Sequence, residues 1–131
     1  MNGRALGYWV TTGLFCAVLG FSGFAHFTQQ DMMVEGMTRL GYPLYVMRII
    51  GLAKLLGVVA VLVPGNVLLK EWAYSGLAFN LIGATASHLF AGDPLVESIA
   101  PAIVLCIGLA SYLLRPNDRR MPGTPALGGV I

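Results

Sequence analysis

The chain has 131 residues, of which 56% are hydrophobic and only 11% charged, with a formal charge of +2 and a mean hydropathy of +0.75. A small soluble domain needs a polar surface, and an average one carries roughly 25% charged residues, so this composition excludes a water-soluble globule and makes lipid the missing coat. No basic run exceeds Arg119-Arg120 and there is no glycine-rich phosphate loop, which leaves no footing for nucleic acid or nucleotide.

Taken in chain order, four apolar runs approach the ~20 residues needed to cross a bilayer: about 8–27, 44–63, 70–91 and 95–114. The first has only Arg4 before it and no small-residue cleavage site after it, so it reads as a retained helix rather than a signal peptide. Cys16 in this run, like Cys106 in the last, stands alone without a C-x-x-C partner and reads as a small buried hydrophobe. Between Thr28 and Pro43, Met33, Met37 and Leu40 recur at helical spacing opposite Asp31, Glu35 and Arg39. That pattern predicts a short amphipathic helix at the membrane surface, stopped by Gly41 and Pro43. Pro64-Gly65-Asn66 and Gly92-Asp93-Pro94 predict tight turns after the second and third runs. The expected fold is all-α, an antiparallel four-helix membrane bundle with one interfacial helix, packed through small residues such as Gly83 and Ser87. Residues 1–114 form that bundle, and the Arg, Pro, Gly and Asn after Leu114 suit a disordered cytoplasmic tail over 115–131. With four spans the termini share a side, which collects Arg4, Lys70, Arg115, Arg119 and Arg120 against Arg39 and Arg48 opposite. The positive-inside rule then puts both termini in the cytoplasm.

Polar groups within the spans point to function, because a central Lys or Arg costs about 2.5–3.5 kcal/mol on insertion scales. Lys54 lies ten residues after Leu44, roughly 15 Å down the helix and close to the midplane. Arg48 is about one turn deep and can act as an interfacial anchor. Helical side chains tilt toward their own N-terminus, so His26 and His88, at the outer ends of the first and third spans, lean back into the bilayer. Lys54 leans outward to meet them, and Glu97 opens the fourth span at the same level. Asn80, Ala84 and His88 form a stripe at i, i+4 and i+8, and Ser22 precedes His26 at the same spacing. These positions predict a polar cavity in the outer leaflet, with His26, His88 and Glu97 as acid/base groups and Ser22, Arg48, Lys54, Asn80 and Asp93 as ligand contacts. Headgroup-level histidines and hydrogen-bond glue between helices explain the single residues, but a midplane lysine still requires a carboxylate partner or a wet cavity. Without an H-E-x-x-H or comparable ligand spacing no metal site is expected, and no cofactor motif is present.

The block KLLGVVAVLVPGNVLLKEWAYSGLAFNLIGATASHLFAGDP, residues 54–94, together with SGFAHF at 22–27 and LGYP at 40–43, resembles the DoxX-like family of small bacterial membrane proteins. The resemblance implies a four-helix protein of the bacterial inner membrane, related to quinone-reducing and other redox-associated membrane subunits. On that analogy a quinone is the expected cofactor class, and a soluble redox protein, a lipophilic small molecule or further copies of the chain are the expected partners. Several members carry Asp where this chain has Asn80, which leaves Asp93 or Glu97 to pair with Lys54. The alternative is a self-sufficient isomerase, cyclase or epoxide-opening enzyme acting on a lipophilic substrate.

Overall fold

A computed structural model describes residues 2–123, all of whose regular structure is helical. The elements are α1 (Gly3–Phe27), α2 (Asp31–Leu40), α3 (Leu44–Leu62), α4 (Val67–Phe90) and α5 (Leu95–Leu113), followed by a 3-10 turn at Asn117–Arg119. Three of these helices, α1, α3 and α5, are long and apolar enough to cross a membrane. Helix α4 is 24 residues long but carries Lys70, Glu71, Asn80 and His88 along its length. Large apolar side chains point away from the protein on every long helix, among them Phe21, Ile49, Phe79 and Val96. An outer surface of this kind is stable only against lipid, and the chain is a multi-pass membrane protein.

Capping explains where the helices begin and end. Asn2 accepts from the Ala5 N–H at 2.7 Å and starts α1 earlier than hydropathy alone suggests. Gly41, at φ 87°, closes α2 in the left-handed conformation, and Pro43 directs the chain into α3. Gly65 turns at φ 77°, after which Asn66 accepts from the Leu69 N–H and starts α4.

Helix α1 packs on α3 and α5, while α4 packs on the other sides of the same two helices and α2 rests on α1 and α3. Phe15, Cys16, Leu19, Val61, Tyr74, Leu77 and Leu81 form the core between them. The closest backbone approach joins α1 and α3, where a Cβ added to Gly51 would lie 2.5 Å from the Phe27 nitrogen and 2.6 Å from the Gly23 oxygen. Small residues do bring helices together here, but they are not the expected pair. A Cβ added to Gly83 meets nothing within 4 Å, and both Gly83 and Ser87 border a cavity. Cys106 also departs from expectation, since Cys16 is buried but Cys106 is exposed on the outer face of α5.

A polar cluster binds the C-terminal end of α3 to its neighbours. Lys70 is fully buried and donates to the carbonyls of Ala60 at 3.0 Å and Val61 at 3.1 Å, and also to that of Val63. Arg119 reaches the Val61 and Leu62 carbonyls at 3.2 Å. The two cations satisfy acceptors that the helix end leaves free and oppose its negative dipole. Arg115, also fully buried, donates to Glu71 at 2.8 Å and stacks 3.8 Å from the Tyr112 ring. Past Leu114 the chain makes a 3-10 turn at Asn117–Arg119, and these arginines find carboxylate, carbonyl and aromatic partners inside the fold. The remainder of that expected tail, residues 124–131, lies outside the described residues.

Candidate functional site

Away from that cluster, a cavity of about 440 Å³ opens between α1, α3, α4 and α5, with α2 across it. Its size falls in the ~300–1,000 Å³ range of small-molecule sites. Val18, Leu19, Ile50, Leu81 and Val104 supply apolar walls, and Met33, Met37 and Leu40 form the underside of α2. The amphipathic helix inferred from sequence therefore turns its apolar face to this space.

Five of the expected site residues line the cavity: Ser22, His26, Lys54, Asn80 and His88. Lys54 Nζ donates to Ser22 Oγ at 2.9 Å, and the lysine side chain is otherwise buried. His26 Nδ1 lies 2.8 Å from the Ser22 carbonyl oxygen. Because a carbonyl can only accept, this contact puts a ring proton on Nδ1 and leaves Nε2 for a second partner. His88 is held in the same way by a carboxylate, with Nδ1 2.6 Å from Asp93 Oδ2. Helical spacing explains the first arrangement, since His26 follows Ser22 by one turn and leans back toward it, whereas His88 meets Asp93 five residues further on, in the turn that follows α4.

Asp93 and Glu97 do not line the cavity but stand at its rim, where Arg39 of α2 grips both. Arg39 Nε lies 3.3 Å from Asp93 Oδ1, and Nη2 lies 3.1 Å from Glu97 Oε2. The His88 hydrogen bond, followed by the Arg39 charge, holds the Asp93 carboxyl below the usual carboxylate range. The expected ion pair between Lys54 and Asp93 or Glu97 is not formed, because Arg39 and His88 take these carboxylates. Arg48 is exposed and donates to Gln29 Oε1 at 3.4 Å, outside the cavity, as an interfacial anchor would.

Arg39, Tyr42 and Ser87 are the contributors that sequence reasoning misses. Tyr42 Oη meets Ser87 Oγ at 2.5 Å and ties the end of α2 to α4. On sequence Arg39 belongs to the polar face of a surface helix, and only the acidic Gly92-Asp93-Pro94 turn with Glu97 beyond it hints at a partner. Ligand atoms of His88, Asp93 and Glu97 also converge within 4.8 Å, a grouping that could hold a metal ion. Arg39 already supplies positive charge to both carboxylates, which disfavours a cation there.

In chemical terms, the site offers an ammonium, a hydroxyl, an amide and two oriented imidazoles to one apolar space. It can bind the polar head of a lipophilic molecule and can move a proton at either Nε2. No protein of curated function and no solved structure matches the chain. A model of the DoxX-like family matches residues 10–111. The chain belongs to the DoxX-like family.

Proposed function

We propose that this protein is an antiparallel four-helix bundle of the bacterial inner membrane, with both termini cytoplasmic, that holds a lipophilic small molecule in the cavity beneath α2. The observation that carries the reading is the convergence of Ser22, His26, Lys54, Asn80 and His88 on one apolar-walled space of about 440 Å³, the pattern of a ligand site with few polar groups. Arg4, Lys70, Arg115 and Arg119 join in contacts around the ends of α1, α3, α4 and α5 remote from this cavity. That asymmetry supports cytoplasmic termini and an outer-leaflet cavity. Family membership extends the reading to a quinone-like ligand and a redox-associated role, with the chain serving a soluble redox partner as its membrane subunit.

Native mass spectrometry of protein gently extracted from its own membrane tests this. The expected result is a stoichiometric lipophilic mass on the wild type that is absent from Gly83→Leu, where the new side chain occupies the open space beside α4. A co-purifying protein with no small ligand would instead make the chain an anchoring subunit and the cavity residues structural.

The His88–Asp93 contact at 2.6 Å favours a second reading. A carboxylate that fixes the imidazole tautomer is a general-base arrangement, suited to isomerase, cyclase or epoxide-opening chemistry. Under that reading His88→Ala abolishes turnover of a lipophilic substrate while the protein remains folded.

A further inference from the structure

The charge inside the cavity is unbalanced. Lys54 is 8% exposed and donates to Ser22 Oγ, and among the described residues no carboxylate forms an ion pair with it. The facing groups on the other elements are His26 of α1, Asn80 and His88 of α4, and the apolar Ala100, Pro101 and Val104 of α5. Helix α2 contributes Met33, Gly36, Met37 and Leu40. Among the described residues no Asp or Glu lines the space, and the two at its rim are held by Arg39 and His88. This contrasts with the fully buried Arg115, to which the chain supplies Glu71. A buried ammonium in a low-dielectric site calls for an anion, and here the protein provides the Ser22 hydroxyl but no counter-charge.

Resting on the ligand-site reading above but replacing its quinone-like head, we infer that the cavity takes a single-chain amphiphile with an acidic head, a carboxylate set against Lys54 Nζ and Ser22 Oγ, with its alkyl chain along the apolar walls. Asn80 completes the head site with an amide. The head site has one lysine and no arginine, unlike the multi-donor clusters that hold phosphate, and the space is small for a two-chain lipid. A carboxylate fits both the number of donors and the missing charge.

The test uses full-length protein in phosphatidylcholine nanodiscs and three probes of equal tail: dodecanoate, dodecanol and dodecylamine. Binding is measured against empty discs. Dodecanoate is expected to bind about tenfold more tightly than dodecanol, a difference typical of one charge-assisted contact, and dodecylamine more weakly still. In Lys54→Met, which replaces the cation with an apolar chain of similar length, the acid and alcohol should bind within about twofold of each other. Equal binding of the three probes to wild type overturns the acidic-head assignment, as does displacement of dodecanoate by added phosphatidylglycerol. If native mass spectrometry finds a neutral ligand that Gly83→Leu loses while dodecanoate does not bind, the acidic head is wrong and the site stands. If neither a native ligand nor any probe binds, both readings fall.

Discussion

Lys54 and Arg115 are both buried cations, but their partners differ, and so should the effects of removing them. Arg115 is matched by Glu71, and truncating one member of a buried pair strands the other. Arg115→Met is therefore expected to cost about 3–5 kcal/mol in unfolding free energy, and a second change, Glu71→Gln, should recover much of that loss. Thermal melts of the single and double variants in detergent measure this directly. Lys54 has a hydroxyl partner and no counter-ion, so Lys54→Met should leave the melting temperature unchanged or raise it. A lowered melting temperature would mean that the lysine has a stabilising role in the fold. Depth along α3 is enough to single out Lys54 from sequence. Its partner is not legible, because the choice between Ser22 and the two carboxylates depends on where Arg39 lands, and Arg39 comes from a different helix.

At the scale of the element, α2 is held over the cavity by contacts of Arg39 with Asp93 and Glu97 and of Tyr42 with Ser87. Because the Asp93 pKa lies below its ordinary value, its contribution is fully present above the usual carboxylate range, near 3.9. It is lost as pH falls through the lowered folded value. Hydrogen exchange of residues 31–40 should therefore remain slow down to about pH 4 and accelerate below it. Asp93→Asn should give faster exchange already at neutral pH. A second element-scale prediction concerns glycines. Gly51→Ala forces a Cβ onto backbone atoms of α1 and should destabilise by about 1–3 kcal/mol or more. Gly13→Ala, with nothing within 4 Å, should be neutral or stabilising by up to about 1 kcal/mol. The existence of α2 and its two faces is legible in the spacing of Met33, Met37 and Leu40. The Gly23–Gly51 crossing is not, since glycines abound in this chain and only the three-dimensional path of α1 against α3 distinguishes Gly51 from Gly83.

For the whole molecule, the arrangement separates a basic cluster from the cavity along the length of the long helices. Single cysteines at Gln29 and Asn117, in a background with Cys16 and Cys106 changed to Ala, should react with impermeant reagents from opposite sides of the membrane, Gln29 from outside. Hydropathy marks α1, α3 and α5 because lipid demands the same property of each of them. It overlooks the contacts of Arg115 and Arg119, because a composition rich in Arg, Pro and Asn does not reveal that carbonyls at the end of α3 and the Glu71 carboxylate are within reach. One contact bears on how the cavity can change. A Cβ at Gly23 would fall 2.9 Å from the Lys54 Cβ, so on that wall the residue that seats the lysine also sets the spacing of two helices. Helix packing and the placement of the lysine cannot drift independently there. Across the cavity, Gly83 has open space before it, so the fold has one wall that must be inherited intact and another on which new specificity can be written without rebuilding the helix contacts.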